Sequence, residues 1–128
     1  MGTYEEAELS FISNFLKEGD VFVDVGANIG LHTLFASKLV GNEGKVISFE
    51  PFSLNFKSLK RNVSLNKSEN IVLENLAISK DSETLDILYN VKDANLGMAS
   101  SFLVDYSHKE KVDATTLDSY LSRKSYKK

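Results

Sequence analysis

The sequence predicts an α/β fold built around a parallel sheet. Three features carry that prediction. Apolar, strand-like runs at 21–25, 45–50 and 71–79 alternate with stretches whose apolar residues repeat at helical spacing. The links between these runs are long enough for helical crossovers, as parallel neighbours require. The link over residues 79–82, Ser-Lys-Asp-Ser, is too short for a crossover, so a fourth strand near 84–90 is expected to fold back antiparallel on the third.

Each element has its own signal. Residues 4–17 carry Leu9, Phe11, Ile12, Phe15 and Leu16 as a helical stripe, and Gly19 supplies a stop. Val21 to Val25 is almost wholly apolar, the pattern of a strand covered on both faces. Leu31, Leu34, Phe35 and Leu39 then define a helix that Gly41 and Gly44 end. Lys45 to Glu50 forms the second strand, and Pro51 breaks it. Ser53 is placed to cap a helix whose face is Phe52, Phe56, Leu59 and Val63. Ile71 to Ser79 reads as the third strand, and Thr84 to Tyr89 as the fourth, with imperfect alternation. Weak strand character near 101–104 and a short helix over Thr116–Ser122 complete the pattern, with His108 to Lys111 read as solvated loop.

The composition narrows the class. With 128 residues, one domain spanning 1–128 is expected. A net charge of −3 gives no bulk attraction to nucleic acid or to an anionic membrane. The basic tail Arg123 to Lys128 reads as a solvated helix end. The absence of cysteine excludes disulfides and thiolate catalysis, and with only His32 and His108 no histidine-rich metal site is expected. No apolar run reaches the ~20 residues of a membrane helix. The acidic N-terminus lacks a signal-peptide pattern, and Glu6 stands where a myristoylation motif needs Ser or Thr. Without a secretory signal, the sequons at Asn62 and Asn66 read as chance and a cytoplasmic location is expected.

The chemistry concentrates at Asp24-Val25-Gly26-Ala27-Asn28-Ile29-Gly30. A strand that stops at an acid and a glycine turn before a helix is where open α/β sheets place ligands. Gly26 and Gly30 let a ligand approach the backbone, amides at the helix start can donate to a carboxylate, and Asp24 can accept from an ammonium. That combination suits an amino-acid moiety. Glu50, ending the next strand, can accept from both hydroxyls of a ribose. Residues around Ala77, at the end of the third strand, fall where an adenine edge or its support belongs. A nicotinamide dinucleotide is the competing ligand, but the turn reads G-A-N-I-G without the middle glycine, and Asp24 would repel a pyrophosphate. No Walker loop is present.

The 24–30 stretch resembles motif I of class I S-adenosylmethionine-dependent methyltransferases. Phe49-Glu50-Pro51, the segment Arg61-Asn62-Val63-Ser64-Leu65-Asn66, Asn75-Leu76-Ala77-Ile78-Ser79, Leu96 to Ser101 and Val112 to Asp118 narrow the resemblance to the FkbM family, from about Glu6 to Leu121. The resemblance implies the N-terminal half of a Rossmann-like methyltransferase sheet. It implies S-adenosyl-L-methionine as cofactor and methyl transfer to a hydroxyl of a sugar, other glycan or secondary metabolite. It assigns cofactor binding to Asp24, Gly26, Ala27, Asn28, Gly30, Glu50, Pro51, Phe52 and Ala77 and names no base. Phe52 could stack on the purine or belong to the core; His32 is more simply a helix-surface residue than a base.

Family members continue into a strand resembling K-I-D-V-E-G, in a sheet ordered 3-2-1-4-5-7-6. These 128 residues stop before that strand, which would leave Val21–Val25 an apolar edge. The chain is expected to be a piece of a longer enzyme, a truncated product, or a subunit completed by another chain or an identical copy. The first two would leave it inactive alone; the third makes it a cofactor-binding subunit.

Overall fold

A computed structural model of the protein describes residues 3–81, 83–89 and 108–124. The elements run α1 (Thr3–Phe15), β1 (Val21–Val25), α2 (Leu31–Val40), β2 (Lys45–Phe49), α3 (Ser53–Leu65), β3 (Ile71–Glu74), β4 (Ala77–Ile78), β5 (Glu83–Tyr89), β6 (His108–Thr115) and α4 (Leu117–Lys124). The expected strand-like segment at 101–104 and the Leu96–Ser101 segment lie outside the described residues.

The first three strands form a parallel sheet in the order β1-β2-β3, as the alternation predicts. Val21 pairs with Lys45 and Asp24 with Ser48; Val46 pairs with Ile71. Because side chains alternate across a strand, β2 sorts its residues cleanly. Val46 packs under Ala36 and Val40 of α2. Ile47 and Phe49 pack against Tyr120 and Leu121 of α4. A further cluster joins Ala27 to Leu59 and Val63 of α3. Helices therefore cover both faces of the sheet, and the central residues of β2, apolar except for Ser48, are buried on both.

Four expectations need correction. The third strand does not run from 71 to 79. It ends at Glu74, and Ala77–Ile78 belongs to a second sheet ordered β4-β6-β5. The interruption is made by Asn75, whose Nδ2 donates to the carbonyls of Glu50 (2.9 Å) and Pro51 (3.0 Å). The fourth strand is antiparallel, but its partner is β6, not the third strand: Thr84 pairs with Asp113 and Leu85 with Val112. Residues 108–111 are strand, not loop. The signal was a period of two hidden by charge, since Lys109, Lys111 and Asp113 alternate with the buried Val112 and Ala114. Ser53 is not a cap but the first residue of α3; its amide donates to Glu110 Oε1 (3.1 Å), a cap brought from β6.

The edge position of β1 also changes its burial. Val21 and Val25 are 45% and 53% exposed, so this apolar strand lacks cover at its outer edge among the described residues. The stripe of α1 is split. Leu16, just past its end, packs on the α2–β2 cluster, while Phe11 and Phe15 face outward with ring centroids 4.7 Å apart.

The junction between α2 and the sheet depends on Asn70. Its Nδ2 donates to the carbonyls of Ser37 (3.0 Å) and Gly41 (2.8 Å), and its Oδ1 accepts from Ser37 Oγ at 2.5 Å. The two carbonyls also accept the amides of Gly41 and Gly44, so Asn70 adds a second donor to each and ties the end of α2 to the start of β3. At roughly 1 kcal/mol per bond, Asn70→Ala is expected to lower unfolding stability by about 3 kcal/mol. Urea denaturation checks this: the midpoint falls while the slope stays that of the unaltered chain.

Candidate functional site

The parallel register of β1 and β2 brings two acids to one end of the sheet. Asp24 occupies the penultimate position of β1, and Glu50 follows the last residue of β2. Both are buried, at 8% and 4% exposure. A buried carboxylate needs donors, and the local chain conformation provides them.

The turn from β1 to α2 is built on left-handed residues. Gly26 (φ 73°), Asn28 (φ 55°) and Gly30 (φ 107°) all have positive φ, a region open to glycine and tolerated by asparagine. At Gly30 space is a second constraint, because an added Cβ would lie 2.9 Å from Leu59 Cδ1. The amides of Gly26 and Ala27 both donate to Phe49 O, at 2.8 and 3.0 Å. The Asn28 amide donates to Glu50 Oε1 at 2.7 Å, and the Phe52 amide to Glu50 Oε2 at 3.0 Å. Asn62 Nδ2 anchors the turn from α3 through Ile29 O at 2.7 Å.

Asp24 is held by hydroxyls. Thr33 Oγ1 donates to its Oδ2 at 2.6 Å and lies 2.7 Å from Ser48 Oγ. Asp24 also lines a cleft of about 410 Å³ between α1 and the β1–α2 corner, with Glu8 and His32 among apolar Phe11, Ile12 and Phe22. His32 Nε2 lies 3.1 Å from Glu8 Oε1, in ion-pair range when the ring is protonated but out of line for a hydrogen bond. His32 is thus a cleft residue beside Asp24, not a bare helix-surface histidine.

Burial pushes both acids above their ordinary values, 3.8 for Asp24 and 4.5 for Glu50. For Asp24 the Thr33 hydroxyl and the charge of His32 pull the other way. For Glu50 the amides of Phe52 and Asn28 and the Asn55 side chain oppose burial, while the neighbouring Asp24 charge adds to it.

Of the residues singled out in the sequence, the structure gathers Asp24, Gly26, Ala27, Asn28, Gly30, Glu50, Pro51 and Phe52 around the strand ends. Phe52 is 1% exposed, so its ring is covered on both sides. Ala77 stands in β4, paired with Ala114 of β6; the residue of that segment that reaches the site is Asn75, through the Glu50 and Pro51 carbonyls. Two buried carboxylates, a glycine turn of positive φ and the free first-turn amides of α2, whose ladder starts at Leu34 N to Gly30 O, fit a ligand with an ammonium, a carboxylate and a diol.

The FkbM methyltransferase domain matches residues 24–128. The chain belongs to that family. The FkbM assignment makes S-adenosylmethionine the cofactor, in agreement with the donor and acceptor set above. No curated protein matches the chain closely enough to count as a relative.

Solved structures share the fold. A protein-L-isoaspartate O-methyltransferase superposes with a TM-score of 0.50 at 24% identity, over 53% of this chain and 22% of that one. An rRNA methylase from Streptococcus thermophilus gives 0.51 at 20% identity, over 59% and 40%. A SAM-dependent O-methyltransferase from Thermotoga maritima gives 0.50 at 13% identity, over 86% and 65%. The FkbM chain therefore spans less than two thirds of the length of each.

Several residues of this FkbM site escaped the sequence reading. Thr33, Ser48, Asn55 and Asn75 all support the two acids or their backbone. The available signal was polarity out of place: Ser48 interrupts the apolar run Val46-Ile47-Phe49, and Thr33 and Asn55 fall on buried helix faces.

The raised acids predict a pH dependence of stability. Between the unfolded values near 4 and the raised folded values, the folded chain holds protons that the unfolded chain has released, so stability falls as pH rises through that window. Asp24→Asn removes its share of this loss. The stability of the variant relative to the unaltered chain is expected to grow from pH 4 to pH 7 in urea denaturation. A relative stability of the variant that falls from pH 4 to pH 7 would contradict the direction given for Asp24.

Proposed function

We propose that the protein is an S-adenosylmethionine-dependent methyltransferase acting on a hydroxyl of a sugar, other glycan or secondary metabolite. The observation that carries this reading is the pair of buried acids at adjacent ends of parallel strands, on either side of a glycine turn. Membership of the FkbM family supplies the reaction class.

In this reading Asp24 accepts from the cofactor's ammonium, and Glu50 accepts from its ribose hydroxyls. Both Glu50 oxygens already receive one backbone amide, which fixes the plane of the carboxylate and leaves lone pairs for two hydroxyls. Gly26, Ala27, Asn28 and Gly30 bring the backbone close to the methionine part, and Pro51 flanks the adenine. The Phe52 ring, 1% exposed, belongs to the core rather than stacking on the purine, and Ala77 stands in β4, with Asn75 the residue of that segment that reaches the site. When bound, the cofactor supplies a sulfonium methyl group that is itself a strong electrophile. The protein's work is then to hold the acceptor hydroxyl in line and to exclude water.

A second reading is favoured by the β1 edge. With Val21 and Val25 exposed, the described sheet offers unpaired backbone groups to a further strand. We infer a cofactor-binding subunit whose sheet is completed by another polypeptide, or by a second copy, before it turns over substrate.

Calorimetric titration with S-adenosylhomocysteine tests the common part. Hydrogen bonds to charged groups contribute about 1.5–3 kcal/mol, so Asp24→Ala and Glu50→Ala are each expected to weaken binding at least ~10-fold. A folded chain that ignores S-adenosylhomocysteine but binds NADH would replace the reading with a nicotinamide enzyme. Methyl transfer by a monomer would remove the completed-subunit reading.

A further inference from the structure

Where α2 crosses the sheet, the contacts are apolar around Ala36, Val40 and Val46 and then turn polar at one place. Thr33 and Ser48 are 0% exposed and Asp24 is 8% exposed. Strand register sets Asp24 directly beside Ser48, and both point to the α2 face, where Thr33 lies over them.

The proton count fixes the direction of this cluster. Thr33 has one hydroxyl proton and gives it to Asp24 Oδ2, at 2.6 Å. An ionised carboxylate only accepts. The 2.7 Å contact between Thr33 and Ser48 is therefore donated by Ser48, and the chain runs Ser48 to Thr33 to Asp24. Each hydroxyl polarises the next, which strengthens the bond to the acid. Packing alone gives no reason for two hydroxyls here, since valine and alanine would fill the same space without the cost of burying polar groups.

We propose that Thr33 and Ser48 are positioning residues whose hydroxyl relay fixes the Asp24 carboxylate and supports its charge for the cofactor's ammonium. This rests on the reading that Asp24 receives that ammonium. The relay secures one carboxylate oxygen from behind while Asp24 still lines the cleft shared with Glu8 and His32. The charged and titratable groups around Asp24 are His32 on α2, Glu8 on α1 and Glu50 beyond β2; His32 favours the Asp24 anion, and the Asp24 charge disfavours that of Glu50. Against the burial that disfavours the anion, the Thr33 hydroxyl is the larger of the two opposing influences.

The test uses the full chain as the unaltered protein and as Thr33→Val, Thr33→Ser, Ser48→Ala and Asp24→Asn. Two quantities are followed: the Asp24 side-chain carboxyl resonance against pH without ligand, and S-adenosylhomocysteine affinity from pH 5 to pH 8. Thr33→Val is expected to move the Asp24 titration midpoint upward and to weaken binding ~10-fold near pH 6, with a smaller loss at pH 8. Thr33→Ser restores both, and Ser48→Ala shifts both in the same direction by less. A midpoint in Thr33→Val or Ser48→Ala equal to that of the unaltered chain overturns the relay, as does a pH-independent loss that Thr33→Ser leaves unrepaired. If Thr33→Val does not fold, Ser48→Ala and Thr33→Ser carry the same comparison. Unchanged affinity in Asp24→Asn overturns the ammonium reading instead, while the ligand-free titration still judges the relay.

Discussion

Two carboxylates buried side by side at the end of a sheet set the terms for everything near them. Each must find donors inside the fold, because water is largely excluded from both. Glu50 finds them in the amides of Asn28 and Phe52, and Asp24 in the Thr33 hydroxyl. The Asn28 amide reaches Glu50 from a residue in the left-handed region, and Gly26 and Gly30 take the same region on either side. The turn conformation and the satisfaction of the acid are thus one requirement. Altering the glycines would move the donor, and neutralising the acid would remove a partner of the turn.

The same constraint explains why the turn is anchored from outside. Phe49 O accepts two successive amides, from Gly26 and Ala27, and so ties the start of the turn to the last residue of β2. Asn62 ties its far side to α3. With those amides engaged, the first turn of α2 precedes the start of the helical ladder at Leu34 N to Gly30 O. The sequence suggested that an anionic group could rest on amides of this region. Ahead of the first helical bond at Leu34, Leu31 and His32 are half-buried while Thr33 is fully buried. A fold that buries two acids and holds three left-handed residues gives up stability to keep a site ready.

Most of the first sheet was legible because each signal was local. Apolar runs, glycine stops and helical spacing gave β1, α2, β2 and α3 nearly to the residue. The acids were legible because they stand at strand ends. What failed was non-local. Nothing between Ile71 and Ser79 shows that the Asn75 side chain will be drawn to the Glu50 and Pro51 carbonyls, so one strand was read where two sheets divide. The charges of 108–113 hid a period of two, and with β6 unseen β5 was given the wrong partner. Ser53 looked like a cap because its type is right, yet the acceptor comes from Glu110. Thr33 and Ser48 are illegible for a related reason: their joining to Asp24 depends on the register of β1 with β2 and on α2 lying over the sheet, which spacing along one segment does not encode.

The second sheet is not an appendage to the site. The stretch from Glu50 to Ser53 is gripped from three directions. Asn75, just ahead of β4, holds the Glu50 and Pro51 carbonyls, Glu110 of β6 holds the Ser53 amide, and the Glu50 side chain closes back on the Phe52 amide. Two of these three grips come from β4, β6 and their approaches, which are otherwise remote from the glycine turn. Below them, α4 seals the opposite face of β2: Tyr120 stacks edge-on against Phe49 at 4.8 Å, and its hydroxyl donates to Glu74 Oε2 at 2.5 Å. Glu74 O in turn accepts the Glu50 amide. Glu50 is therefore held by its side chain from the glycine turn and by its backbone from β3 and Asn75. Loosening the second sheet would release Glu50 first and leave Asp24, held by the hydroxyls of α2 and β2, largely in place.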